Sequence, residues 1–281
     1  MRIDAPAKIN WALNILGKRP DGYHTLDMLI QRVSVMDTLT LIPHPDILLS
    51  VTGQEDMPVR EDNLAFRAAK AMKEYAGYRG GVHITLEKNI PAQAGLGGGS
   101  ADAAAVLLGL NQLWELGLSM AVLEKIGIGL GADVPCCLYP GLTRVGGIGE
   151  RVVPLPAAAT CHLLILKPAA GLSTREVFSR FDQAPDSDPG DIDLAVRALM
   201  QGDYSAFGHF CRNQLQQTAA AMLPEVQDAI GALTKHGALF AQMSGSGSAV
   251  FGLFRSEQAA KKAAGVLKTA WPVCLYARTC G

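Results

Sequence analysis

This chain lacks several features that would assign a protein to a class at once. No apolar run is long enough to span a bilayer, and the opening residues Met1-Arg2-Ile3-Asp4-Ala5-Pro6 contain no apolar core of a secretory leader. A cytoplasmic location is therefore expected, with no membrane partner. Net charge is almost absent: 25 basic residues face 26 acidic ones, a formal −1 at pH 7. That balance leaves no broad basic field for nucleic acid, so a phosphate-bearing ligand would need positive groups placed locally. None of the six cysteines forms a C-x-x-C pair, and the adjacent Cys136 and Cys137 do not have zinc spacing. They read as reduced, buried, small hydrophobes. Internal repeats and low-complexity tracts are also absent, which excludes solenoids and arrays.

What is present is an ordinary globular composition, 49% hydrophobic and 18% charged, over 281 residues. That length suggests two domains on a prior of roughly 150 residues each. Strand-like runs occupy Ile9 to Leu16, Asp27 to Val35, Thr38 to Ile42, Ile47 to Val51 and Val82 to Leu86, with a turn at Lys18-Arg19-Pro20-Asp21-Gly22. Helical patterns cover Asp62 to Ala76, Asp102 to Trp114 and Ser119 to Leu130. In the first of these, Asp62 or Asn63 is the cap and Leu64, Ala68, Ala71 and Tyr75 form one face. From Arg144 to Pro156 the texture changes to glycines, then Pro-Leu-Pro and alanines, and the domain boundary is placed there, giving 1–155 and 156–281. The second part reads as a strand from Cys161 to Leu166, three or four helices, and strands near Leu239 to Met243, Ala249 to Phe254 and Val273 to Ala277. A helix from Glu257 to Leu267 precedes the last of them, and Pro185 to Asp191 reads as an exposed loop. The fold class is α+β, sheets with helices packed on one face.

The most informative segment is Pro91-Ala92-Gln93-Ala94-Gly95-Leu96-Gly97-Gly98-Gly99-Ser100-Ala101-Asp102, between a strand and an apolar helix. Glycines there permit positive φ and close ligand approach, and several N–H groups can converge on an anion in front of a helix N-terminus. No Gly-Lys-Ser/Thr ends this loop, so it is not a Walker A sequence and any lysine must come from elsewhere. Lys8 is one source. In Pro6-Ala7-Lys8-Ile9-Asn10 the period of a strand puts Lys8 and Asn10 on one face, among apolar neighbours. Such a lysine either meets a carboxylate or phosphate, or sits on a sheet edge to discourage aggregation. Asp133, in Gly131-Ala132-Asp133-Val134-Pro135, either caps a chain reversal or serves as a general base, or as an anchor that sets the charge state of Lys8. Tyr23 and His24 close the early turn, and Tyr23 is an aromatic able to stack on a flat ligand. Ser244-Gly245-Ser246-Gly247 is either a plain hairpin or a second anion nest.

Together, in this order and over nearly the whole chain, these motifs resemble the GHMP kinases. The resemblance implies a two-domain fold: an N-terminal domain like the second domain of ribosomal protein S5 and a ferredoxin-like C-terminal domain, with the active site between them. Ala-Lys-Ile-Asn followed by Asp-Gly-Tyr-His narrows it to a branch that phosphorylates the 2-hydroxyl of 4-diphosphocytidyl-2-C-methyl-D-erythritol in non-mevalonate isoprenoid biosynthesis. It implies that Lys8 and Asp133 are the catalytic pair. Pro91, Ala94, Gly95, Leu96, Gly97, Gly98, Gly99, Ser100 and Ala101 would wrap the phosphates of ATP, with Mg²⁺ bridging their oxygens. Tyr23, His24 and Phe178 would hold the cytosine, Asn10 the region near the reacting alcohol, and Ser244, Gly245, Ser246 and Gly247 further substrate atoms. The metal ligands stay unassigned, and the stretch from Glu55 to Arg67 is a candidate adenine wall. No obligate protein partner is implied. The loop departs from close relatives at Ala94 and at Ala101-Asp102. Beside a phosphate nest, Asp102 must point away, cap the helix or help hold magnesium. The alternatives are another GHMP kinase, for mevalonate or homoserine, or a nucleotide-binding module without chemistry.

Overall fold

The structure, a computed structural model, describes residues 1–54, 61–185 and 188–281. The start of the candidate adenine wall, 55–60, and residues 186–187 of the exposed loop lie outside the described residues. In chain order the elements begin with β1 (Arg2–Lys18), β2 (His24–His44), β3 (Leu48–Thr52), α1 (Leu64–Ala76) and β4 (Gly81–Glu87). There follow α2 (Gly98–Leu113), α3 (Met120–Ile128), α4 (Val134–Cys137), β5 (Leu142–Gly147), β6 (Arg151–Pro154) and β7 (His162–Lys167). Then come α5 (Thr174–Phe181), α6 (Ile192–Gln201), α7 (Tyr204–Phe210), α8 (Gln216–Met222) and α9 (Glu225–Lys235). The chain closes with β8 (Phe240–Met243), β9 (Val250–Phe254), α10 (Glu257–Leu267) and β10 (Val273–Arg278).

Two sheets carry these elements. The first has six strands, with β1 along one edge of β2 and β4 and β5 sharing its other edge; β3 extends β4 and β6 extends β5. The second runs β10-β7-β9-β8, all antiparallel. The expected pair of strands between Asp27 and Ile42 is one long strand, β2. Its first half pairs with β5 and its second half with β4, so the polar residues between them mark a change of partner rather than a turn. The glycine-rich stretch after Arg144 is the β5–β6 hairpin of the first sheet, unrecognised in the sequence because each strand is short and interrupted by glycine.

The β1–β2 hairpin forms where proline and glycine direct it. Gly22, at φ +86°, donates its N–H to the Arg19 carbonyl at 3.0 Å, and Arg19 donates back to Tyr23 at 2.7 Å. Helix α2 is apolar on nearly every side and is buried accordingly, between the first sheet and α1, α3 and α4. It starts inside the glycine run, four residues before the predicted Asp102. Asn63 caps α1 by accepting from the Ala65 N–H at 2.9 Å. The buried stripe of α1 is Ala65, Ala68, Ala69 and Met72, turned one position from the predicted face, and Tyr75 is exposed. Small side chains on this face let α1 lie close against α2, which an aromatic would prevent. Trp11 of β1 inserts edge-on between Phe207 and Phe251, at centroid distances of 5.1 and 5.2 Å, and so ties the first strand to the second sheet's core. Four of the cysteines are buried and all six are free.

Candidate active site

The glycine loop is held in place from two sides. From below, Lys8 of β1 donates its backbone N–H to the Leu96 carbonyl at 2.9 Å. From the second sheet, Ala249 N–H donates to the Ala94 carbonyl at 3.1 Å, and Ser244 Oγ donates to the Gly95 carbonyl at 2.9 Å. The fit leaves no space for a side chain: a Cβ on Gly95, at φ +71°, would lie 2.0 Å from the Ser244 carbonyl oxygen. Asn213 closes the other turn by donating Nδ2 to the carbonyls of Met243 and Gly245, at 2.9 and 2.8 Å. The two glycine turns, some 150 residues apart in the chain, thus face one cavity of about 640 Å³.

Lys8 and Asp133 meet in that cavity. Lys8 Nζ lies 3.2 Å from Asp133 Oδ2 and donates to Asn10 Oδ1 at 2.8 Å, so Lys8 and Asn10 share a face as the strand period predicts. Asp133 is the residue before α4, yet its side chain makes no capping hydrogen bond, and it is about a third exposed toward the cavity. That removes the capping reading of this residue. Strand β1 does lie at the sheet's edge, but the glycine loop and the segment around Asn213 cover it and Lys8 is buried, which removes the edge-protection reading.

Of the other candidates, Pro91, Ala94, Gly95, Leu96, Gly97, Gly98, Gly99 and Ser100 border this cavity, as do Asn10, Phe178, Gly245, Ser246 and Gly247. Four stand apart from its wall: Ala101, Ser244, Tyr23 and His24. Ala101 is buried behind the loop, Ser244 is fully buried as the clasp on Gly95, and Tyr23 is 60% exposed on the hairpin. His24 stacks directly on Phe178 at 4.8 Å and 27°, and its Nε2 lies 2.7 Å from Asp182 Oδ1, which also accepts Lys18 Nζ through Oδ2. The two rings are in contact, so no space for a flat ligand is left between them. Sequence reading missed Asn213 and also Thr174, whose hydroxyl is 2.7 Å from that of Ser246. Neither has a local signal, since each acts through a turn far away in the chain.

It also missed Lys88. This buried lysine, directly before the loop, bonds to Asp37 Oδ2 and, at 2.7 Å, to Asp102 Oδ2. Asp37 Oδ1 accepts the N–H groups of Asn89 and Ile90 at 2.6 and 2.8 Å, which fixes the entry to the loop. Asp102 therefore points away from the glycine loop's cavity face, the first of the three options open for it. A signal existed: a lone lysine between a strand and an apolar loop, with an acid in the following helix.

Burial raises Asp102 most; Lys88 opposes and the nearby Asp37 charge adds to the rise, which brings Asp102 from an ordinary 3.8 up to about 8. Between those values the folded protein keeps a proton that the unfolded chain has released. Stability contributed by this group is whole below 3.8 and is lost as pH rises toward about 8. Asp102→Asn mimics the protonated acid and is expected to flatten the decline in Tm over that interval. Parallel Tm–pH curves for the two proteins would mean that Asp102 carries no such proton.

The geometry defines a class: a glycine loop at a helix N-terminus, a second glycine turn against it, and a buried lysine paired with an aspartate that faces the cavity between them. Comparison with known proteins agrees. The model of the GHMP kinases N terminal domain matches residues 63–141, and that of the GHMP kinases C terminal matches 195–273. This chain belongs to the GHMP kinases, and its α+β architecture is their two-domain fold. It is similar to the 4-diphosphocytidyl-2-C-methyl-D-erythritol kinase of Lachnoclostridium phytofermentans, 40% identical over 93% of this chain and 90% of that protein. The protein of the same name from Paracidovorax citrulli is 44% identical over 89% of this chain and 85% of its own length. A crystal structure of 4-(cytidine 5'-diphospho)-2C-methyl-D-erythritol kinase superposes with a TM-score of 0.86 at 35% identity, covering all of both chains. As a kinase of this family the chain uses ATP, and among the described residues no helix is long and apolar enough to cross a membrane.

Proposed function

We propose that this enzyme transfers the γ-phosphoryl group of ATP to the 2-hydroxyl of 4-diphosphocytidyl-2-C-methyl-D-erythritol. The observation that carries the reading is the Lys8–Asp133 pair, 3.2 Å apart at the mouth of the glycine loop. Asp133 accepts the proton of the attacking hydroxyl. Lys8 pairs with that carboxylate at 3.2 Å and lies where negative charge builds on the transferring group. The loop N–H groups and the start of α2 receive the phosphates. Asn10, tied to Lys8 Nζ, orients the alcohol. Phosphoryl transfer needs little covalent help from a protein, so positioning and fixed charge supply most of the catalysis.

Magnesium fits this site. The ion takes few protein ligands and several phosphate oxygens, and Ser100, in the first turn of α2, and Asp133 are oxygen donors on the cavity wall. Ser100 would hold it, and it would neutralise charge on the phosphates. We assign residues 1–155 to nucleotide binding and 156–281 to the acceptor side. The aromatic pair His24–Phe178 supports a base-bearing acceptor, because mevalonate and homoserine have no ring to stack.

The test is ADP release from ATP and magnesium with the cytidylyl compound, run beside mevalonate and homoserine. Turnover with the cytidylyl compound alone is expected. Turnover with another alcohol would overturn the acceptor but keep the catalytic pair, and binding of ATP without any turnover would favour a module without chemistry. Phe178→Ala is expected to raise KM for the acceptor about tenfold, within the range of one lost base stack. Its KM for ATP should stay near wild type. Equal rises in both would remove Phe178 from base recognition.

A further inference from the structure

Arg32 lies outside the reaction just described, and its surroundings are unusual. On β2 it sits directly across from Lys8 of β1 and shares that face of the sheet. The residue is only 4% exposed, yet among the described residues no carboxylate pairs with its guanidinium, and the sealed Nη1 makes no hydrogen bond. A buried lysine can escape such a position by losing its proton. An arginine cannot, and the cost of an uncompensated buried charge persists until an anion arrives.

Arg32 borders a separate cavity of about 230 Å³, whose wall includes the α2 residues Ala101, Ala105 and Leu108. The walls are mostly aliphatic, with Pro6 of β1 and Leu138 also among them. The polar groups nearby are already engaged or turned outward. Tyr139 donates its hydroxyl to Glu124 at 2.7 Å, and Asp4, on the exposed rim, accepts from Thr38 at 3.3 Å. The remaining neighbours are thiols. Cys137 is held below its ordinary range, at about 7, first by its hydrogen bond with Cys136 and then by the Arg32 charge. Cys280 is pushed up by its burial, against the same charge.

We propose that this cavity binds a small organic anion, a carboxylate or phosphate monoester on a short aliphatic body, with its charged head on Arg32. The aliphatic walls receive the body and the guanidinium donates to the charged head. The bound molecule would touch β1 beside Lys8 and α2 just beyond the glycine loop, so it would lie against both elements that build the active site.

The test titrates the intact protein, its reaction cleft saturated with ADP, with n-butyl phosphate, butyrate and n-butanol by calorimetry. One of the two anions is expected to bind at one site per chain and n-butanol is not, and the stronger anion identifies the head group. Arg32→Met is expected to weaken that binding about tenfold or more, as loss of a charge-assisted hydrogen bond does. In the same wild-type protein the bound anion should slow alkylation of Cys137 by iodoacetamide, read by peptide mass spectrometry, whereas n-butanol should not. If Arg32→Met fails to fold, this protection decides the matter on wild-type protein alone. Absence of binding by both anions at millimolar concentration, equal binding to Arg32→Met, or binding that leaves Cys137 alkylation unchanged would each overturn the proposal.

Discussion

Asp133→Asn is expected to reduce kcat by about a hundredfold or more while nucleotide affinity stays close to that of wild type. The substitution keeps the shape of the side chain and removes its charge, and with it the capacity to accept a proton and the ion pair with Lys8. The site around it should persist, because Lys8 Nζ retains its 2.8 Å bond to Asn10 and Lys8 N–H retains its bond to Leu96. Asp133 is a third exposed and makes no capping bond, so α4 loses no support. The loss should appear in kcat and kcat/KM together, the signature of an interaction made only in the transition state. Steady-state kinetics beside equilibrium binding of ADP separate the two effects. Turnover within about tenfold of wild type would rule out Asp133 as the general base.

Lys88→Met is expected to destabilise the fold by about 3–5 kcal/mol, the usual cost of removing one partner from a buried ionic cluster. Burial works against the Lys88 ammonium, but Asp102 and Asp37 outweigh it and hold its pKa above the ordinary value. Without it, Asp37 keeps its two backbone donors but remains a buried carboxylate with no counter-charge. Asp102 can stay protonated; Asp37 therefore bears most of the loss. Chemical denaturation measures the effect, and adding Asp37→Asn to Lys88→Met should recover part of it. A change below about 1 kcal/mol, the scale of an exposed ion pair, would show that the cluster is not the buried brace described here. The consequence should reach the nucleotide as well. Lys88 Nζ lies only 3.4 Å from where a Cβ on Gly98 would be, so the cluster forms the floor beneath the loop, and KM for ATP is expected to rise in any Lys88 variant that folds.

Helices with caps and glycine-marked ends were legible along the chain, and α10 was predicted with its observed limits, Glu257–Leu267. The β5–β6 hairpin and the unbroken β2 were not, because short glycine-bearing strands take their structure from their neighbours. Within the site, Lys8 and Asn10 could be placed on one face from strand period alone. The direct His24–Phe178 stack and the exposure of Tyr23 could not, because both depend on how the first hairpin meets α5.

By itself, then, the sequence determined whatever depends on neighbours in the chain: the glycine loop at a helix start, the turn residues, the alternation of β1, and through their order the family. Only the tertiary structure decided which charges meet. Lys8 pairs with Asp133, Lys88 with Asp37 and Asp102, and Arg32 with no carboxylate among the described residues. The physical reason is that local geometry acts over a few bonds, whereas a buried charge must find its partner through space, wherever the packing of the sheets and α2 brings one within reach.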